Sequence, residues 1–201
     1  MKKYFTLLSL FLLNFYFSQQ TEGFKNINTT YEAERKEIDA QHTLETSKNL
    51  SEKKLSEVSS KYIGQLSDLQ RRKNIENLEE VQRTKIFEAN NPIDESRLPV
   101  YDELEEVTAQ HPKGYEFFRN EIMNNLYSEN INGNGNLRCN IIFTVEKDGS
   151  LRNVKATGEN ENFNKQAELA LYLTKYKWNP ARKNGKPQKS RMNLPLILNF
   201  E

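Results

Sequence analysis

Apolar residues alternate with other residues over the last stretch of the chain, and this period predicts a half-buried β-strand. Five large apolar side chains lie two positions apart: Met192, Leu194, Leu196, Leu198 and Phe200. Pro195 lies inside this run and has no N–H group, so we expect the strand at a sheet edge or at a bulge. An edge strand is either protected or recruits a further strand. The function of the chain depends on which of these holds.

The residues before this strand predict a compact α+β unit. Residues 137–145 alternate strongly, residues 147–150 have the composition of a hairpin turn, and residues 151–157 form the returning strand. Apolar residues at helical spacing over 115–126 and 163–173 predict two helices. Hairpin-connected strands are antiparallel, so the expected fold is a three-stranded antiparallel sheet with two helices on one face.

The region before that unit predicts a long, mostly polar α-helix. Between Asn26 and Asn91 there is no proline, and Gly64 is the only glycine. Thr29 has the spacing of a capping-box start, and residues 90–92 form a stop. This helix is either continuous or bent or hairpinned near Gly64 or Asn74. The alternative to a long helix is a spacer that is only partly helical. One apolar seam lies along it: Leu55, Val58, Tyr62, Leu66 and Leu69.

This seam does not persist for the three to four heptads that define a coiled coil. A polar helix of this kind is marginal in isolation, so we expect it to self-associate or to dock on the C-terminal domain. The sequence therefore divides into residues 21–98, a helical stalk or coiled-coil-like region, and residues 99–201, the C-terminal domain.

The first residues have the pattern of a secretory signal peptide. Lys2 and Lys3 precede an apolar run over residues 4–17, which is shorter than the ~20 residues that span a bilayer. Residues 1–20 are therefore predicted to direct export to the periplasm. The alternative is an uncleaved segment that anchors the chain to the inner membrane.

Composition and isolated residue types give no sign of catalysis. The net charge is +1, which provides no electrostatic basis for nucleic-acid binding. Cys139 lies on the same side of its strand as Ile141 and Phe143 and is predicted to be a buried, inert thiol. His42 and His111 have no catalytic or metal-ligating partner at a recognisable spacing. We therefore predict a protein that is not an enzyme and that has no catalytic residue, metal or cofactor.

Several segments together resemble the C-terminal domain of the TonB family. Residues 145–154 resemble its first hairpin, and residues 112–118 resemble the start of its first helix. Residues 167–173, 178–181, 184–187 and 194–196 resemble its second helix, Trp-x-Pro segment, turn and last strand. The likeness covers roughly residues 100–201. Seven residues form the family motif, with structural roles: Asp148, Gly149, Trp178, Pro180, Asn184, Gly185 and Pro187.

The resemblance implies a periplasmic module that recognises a TonB-dependent outer-membrane receptor or a similar protein, in support of transport. In that family a receptor peptide pairs along the last strand of the domain. By position, the partner-binding residues here are Arg191, Met192, Asn193, Leu194, Pro195, Leu196, Ile197 and Leu198. The chain lacks the proline-rich span of energy-transducing members, so recognition is the stronger expectation. Lys183, Lys186, Lys189 and Arg191 either steer an acidic peptide or protect the edge from aggregation.

Two hypotheses follow from these patterns. In the first, the C-terminal domain captures a strand of a partner protein, and charged residues at Leu194 and Leu196 abolish capture while a folded monomer remains. In the second, the chain is a structural envelope protein that oligomerises through its helix and pairs its edge strand with a second copy, forming a homodimer without energy transduction.

Overall fold

The computed structural model describes residues 20–101 and 105–200. The predicted signal peptide, apart from Gln20, lies outside the described residues, as do Asp102, Glu103 and Leu104 of the connector, which comprises residues 92–112. Among the helices of the described ranges, none combines the length and the apolar character needed to cross a membrane.

The predicted long helix is an antiparallel helical hairpin. Helix α1 comprises Glu22–Thr46 and helix α2 comprises Glu52–Asn90. The turn between them lies at residues 47–51, so the predicted positions of a bend, Gly64 and Asn74, were wrong. Both of these residues lie within α2.

The start of α1 also differs from the prediction. Thr21 is the N-cap and its hydroxyl accepts a hydrogen bond from the Phe24 backbone N–H, eight residues before the predicted cap Thr29. Thr29 lies inside the helix, where its hydroxyl donates to the Lys25 carbonyl oxygen. The predicted stop was right, because α2 ends at Asn90.

The apolar seam of α2 packs inside the hairpin. Leu69 is buried against Ile27, Tyr31 and Ile38 of α1, and Tyr62 and Leu66 pack against the same cluster. Arg72 of α2 forms an ion pair with Glu34 of α1. Three of the five seam residues therefore pack on α1 of the same chain.

The C-terminal half forms a three-stranded antiparallel sheet. Strand β1 is Asn136–Val145, β2 is Leu151–Gly158 and β5 is Ser190–Asn199. The strand order is β2-β1-β5, so β1 is central and β5 lies at one edge. Between β2 and β5 the chain forms a separate two-stranded hairpin, β3 (Ala181–Lys183) with β4 (Lys186–Gln188).

Two helices cover one face of this sheet. Helix α3 is Tyr115–Asn125 and helix α4 is Glu161–Tyr172, and a short 3₁₀ helix, Glu95–Arg97, lies in the connector. Phe118 and Phe163 from these helices are fully buried with Phe143, Leu194 and other strand residues. The predicted α+β fold class, with a three-stranded antiparallel sheet and two helices, is confirmed.

The helical hairpin docks on the C-terminal half and shares its core. Phe24 of α1 and Val81 of α2 belong to the same buried cluster as the sheet residues. The Phe24 ring stacks on Tyr172 of α4, with centroids 6.3 Å apart, and Lys85 forms an ion pair with Glu168. The helical hairpin therefore docks on the C-terminal domain, which is one of the two predicted outcomes.

Candidate functional site

The outer edge of β5 carries a row of backbone groups that β1 does not use. Residues 136–145 of β1 pair with residues 190–199 of β5 in one unbroken register. The same register places Gly135 opposite Phe200, whose N–H donates to the Gly135 carbonyl oxygen. Because antiparallel residue pairs alternate between bonded and non-bonded, even-numbered residues of β5 face β1. The N–H and C=O groups of the odd-numbered residues, 191 to 199, therefore point away from the sheet.

Pro195 is one of the outward-facing residues. Its partner across the strand pair is Asn140, and the register contains no bulge around it. The predicted alternative of a bulge was therefore wrong, and the edge position explains how the proline is accommodated. An added strand finds four donors on this edge, at residues 191, 193, 197 and 199, with a gap at Pro195.

The side chains of the predicted site divide into two sets. Leu194 and Leu196 are each 1% exposed and lie in the core, and Met192 and Leu198 are partly buried beside them. Arg191, Asn193, Pro195 and Ile197 point to the other face and are exposed. The structure thus gives Leu194 and Leu196 a packing role. The predicted folded monomer with charges at these two positions is inconsistent with their burial.

The motif residues at the β1–β2 turn are fixed by the chain around Trp178. Gly149 has φ of +79°, and a Cβ there would lie 2.0 Å from the Trp178 carbonyl oxygen. The Trp178 N–H donates to the Gly149 carbonyl oxygen at 2.9 Å. Desolvation opposes ionisation of Asp148, but hydrogen bonds from Lys177 and Ser150 outweigh it and lower the pKa of this carboxyl. The turn is therefore held against the chain at Lys177 and Trp178.

The second turn of the motif, at Asn184 and Gly185, closes the β3–β4 hairpin. Asn184 and Gly185, with φ of 50° and 71°, connect β3 and β4 instead of leading directly into the last strand. Positive φ at both central residues matches the turn type that Asn-Gly favours in hairpins. Pro187 is buried in β4, and Pro180 precedes β3.

Trp178 belongs to an aromatic cluster that sequence reasoning did not find. The indole is 4% exposed and lies edge-on to Phe118, with ring centroids 5.0 Å apart. His111 is 5% exposed and its ring lies 5.7 Å from Trp178. Burial lowers the pKa of His111, although its hydrogen bond with the Gly114 carbonyl oxygen opposes this effect. The spacing of His111 from these aromatics along the chain gave no signal of this contact.

The basic residues near β5 are only partly neutralised. Lys189 forms an ion pair with the buried Glu146 at 3.0 Å, and Lys183 lies 3.6 Å from Glu106. Within residues 20–101 and 105–200, no carboxylate pairs with Lys186 or Arg191. The start of β5 therefore presents net positive charge beside the open backbone row.

The reactive residue types show no catalytic arrangement in the described ranges. Cys139 is buried, and desolvation raises the pKa of its thiol to about 11. Over the part of the chain that the structure describes, no group of three or more His, Cys, Asp and Glu residues is placed to hold a metal ion. The open edge of β5 is therefore the candidate site.

Comparisons of the chain with protein-family models, with curated proteins and with solved structures find no match.

Proposed function

We propose that this chain is a periplasmic, TonB-like protein-binding module that captures an extended segment of a partner by strand addition to β5. The observation that carries the proposal is the outward backbone row at residues 191–199, on a sheet edge that no other strand of residues 20–101 and 105–200 covers. Added strands bind mainly through main-chain hydrogen bonds, which such a row supplies. The partner that fits this role is an outer-membrane transporter or a similar envelope protein, recognised in support of transport.

The side chains around the edge suit recognition of a partner segment that has both apolar and charged residues. Ile197 is 43% exposed and adjoins Pro195 on the uncovered sheet face, where it offers an apolar contact. Arg191 lies at the other end of the row and contributes positive charge. Alternate side chains of an added strand would face these two positions, which gives a basis for selectivity.

Removing outward donors tests the proposal without disturbing the β1 ladder. Asn193→Pro with Ile197→Pro deletes two of the four outward N–H groups. We expect binding of the partner peptide to fall by about 5- to 150-fold, since each lost hydrogen bond is worth roughly 0.5–1.5 kcal/mol. The measurement is calorimetric titration with synthetic peptides from the periplasmic N-termini of outer-membrane transporters of the same cell.

The matched control is Asn193→Ala with Ile197→Ala, which keeps both N–H groups and removes the same side chains. Pro195→Ala is the converse variant, because it adds the missing donor and is expected to tighten binding. Equal affinities for the proline and alanine pairs would show that the edge backbone takes no part in binding.

The second candidate function is self-assembly through the same edge. Two β5 strands from two copies offer each other complementary donors and acceptors, as an exposed edge does in general. The helical route to assembly has less support, because Leu69 and Tyr62 of the seam already pack on α1. Sedimentation at high concentration tests this candidate: a dimer that dissociates in the proline pair supports it, and a strict monomer excludes it.

A further inference from the structure

A cleft on the C-terminal domain lies apart from the open backbone row. It has a volume of about 970 Å³ and is formed by the segment 175–180, Pro112, Lys113, Tyr101, Asp148 and Gln20. Asp148 belongs to the turn that follows β1, whose last residue Val145 pairs with Ser190, the first residue of β5. The cleft therefore lies at the end of the sheet where β5 begins. We call it the basic cleft.

Three ammonium groups and one carboxylate give the basic cleft its charge. Lys177 is paired with Asp148 at 2.8 Å, so this carboxylate is already neutralised. Lys113 and Lys175 are exposed and form no ion pair with any carboxylate of the described ranges. The Glu121 carboxylate accepts a hydrogen bond from the Lys175 backbone N–H at 3.0 Å and partly offsets the charge of this lysine, so the cleft offers an anionic ligand the charge of Lys113 and the remainder of that of Lys175.

The walls of the basic cleft are aromatic rings and prolines. Tyr176 is held between Phe117, with ring centroids 5.8 Å apart, and the Lys113 ammonium, which lies 5.8 Å from its ring centroid. Pro112, Pro180 and Trp178 complete the walls. Fixed rings and prolines provide flat apolar surface at little entropic cost, which suits an extended peptide backbone.

We propose that the basic cleft binds an acidic peptide segment. Given the strand addition proposed above, on which this step rests, the segment is an acidic extension of the same partner beyond the residues that pair with β5. The charge of Lys113 and Lys175 attracts the carboxylates, and the cleft lies at the end of the sheet where β5 begins, so a segment paired with β5 can extend towards it. Lysines present point charges without the bidentate geometry by which arginine clusters favour phosphate.

The test uses hexaglutamate as the probe and the full chain. Calorimetric titration measures the binding, because the indole of Trp178, the only tryptophan of the chain, is 4% exposed and packs in the core. We expect saturable binding of hexaglutamate that weakens with added salt, and no binding of hexaglutamine. Lys113→Gln with Lys175→Gln should weaken hexaglutamate binding roughly tenfold, since two partly exposed ion pairs are lost.

The matched control is Lys53→Gln with Lys54→Gln, which removes the same charge from the exposed start of α2. Equal weakening by the control pair, or no saturable binding, would overturn the proposal. If dextran sulfate binds with the same affinity and the same dependence on Lys113 and Lys175, the cleft binds polyanions in general. That result would overturn the proposal of an acidic peptide.

The Asn193→Pro and Ile197→Pro pair separates this inference from the proposed function. Strand addition alone would be contradicted by two results together. The variant would still bind hexaglutamate, and the unmodified chain would capture no transporter peptide. Capture of transporter peptides without hexaglutamate binding would contradict the basic cleft alone.

Discussion

Replacing Leu196 with aspartate is expected to unfold the C-terminal domain. The side chain is 1% exposed and packs in the main core, so an unpaired carboxylate there has neither water nor a partner. A loss of at least about 4 kcal/mol is expected, which is a large part of the stability of an ordinary domain. Urea denaturation followed by circular dichroism measures the change.

The neighbouring position provides the control for this prediction. Ile197 is 43% exposed on the opposite face of the same strand, so Ile197→Asp should cost only about 1 kcal/mol. Similar losses for the two variants would contradict the register that places Leu196 in the core and the odd-numbered residues outside.

Gly149→Ala is expected to have the second largest effect. The added methyl group meets the Trp178 carbonyl oxygen at 2.0 Å, and φ of +79° is unfavourable for alanine. The turn must open to relieve this contact, which also weakens the hydrogen bond from the Trp178 N–H to the Gly149 carbonyl oxygen. We expect a loss of about 3–5 kcal/mol in the free energy of unfolding, which urea denaturation measures.

Gly135→Ala separates the two causes of this loss. Gly135 has φ of +66° but no atom within 4 Å of an added Cβ, so only the backbone strain applies. Its expected cost is about 1–2 kcal/mol. Equal costs at Gly135 and Gly149 would show that the contact with the Trp178 carbonyl contributes nothing to stability.

The sequence predicted the sheet better than the helical hairpin, and the reason is physical. Strand β5 has one buried and one exposed face, so its alternation is unambiguous, and Pro195 indicated an edge. The turn at residues 47–51 contains neither glycine nor proline, so the sequence there has none of the residues that mark a turn most strongly. The three-residue strands β3 and β4 are too short to show a period.

Docking of the hairpin on the sheet was only one of two predicted outcomes, because the contacting face of α2 is largely polar. Asn74, Asn77 and Thr84 are buried along with Val81, so the helix shows no apolar stripe there. The position of the candidate site was predicted from Pro195 and from the resemblance to TonB domains. Which N–H groups point outward depends on pairing with β1, and that register is a tertiary property.

Amide hydrogen exchange of β5 tests the central claim most directly. In the free protein, the amides of the even-numbered residues 192–198 should exchange slowly, and those of Arg191, Asn193, Ile197 and Asn199 should exchange fast. A saturating transporter peptide should protect these four amides, since each then donates to the added strand. Four amides that stay fast with the peptide bound would contradict strand addition, and so would four that are already protected in the free monomer.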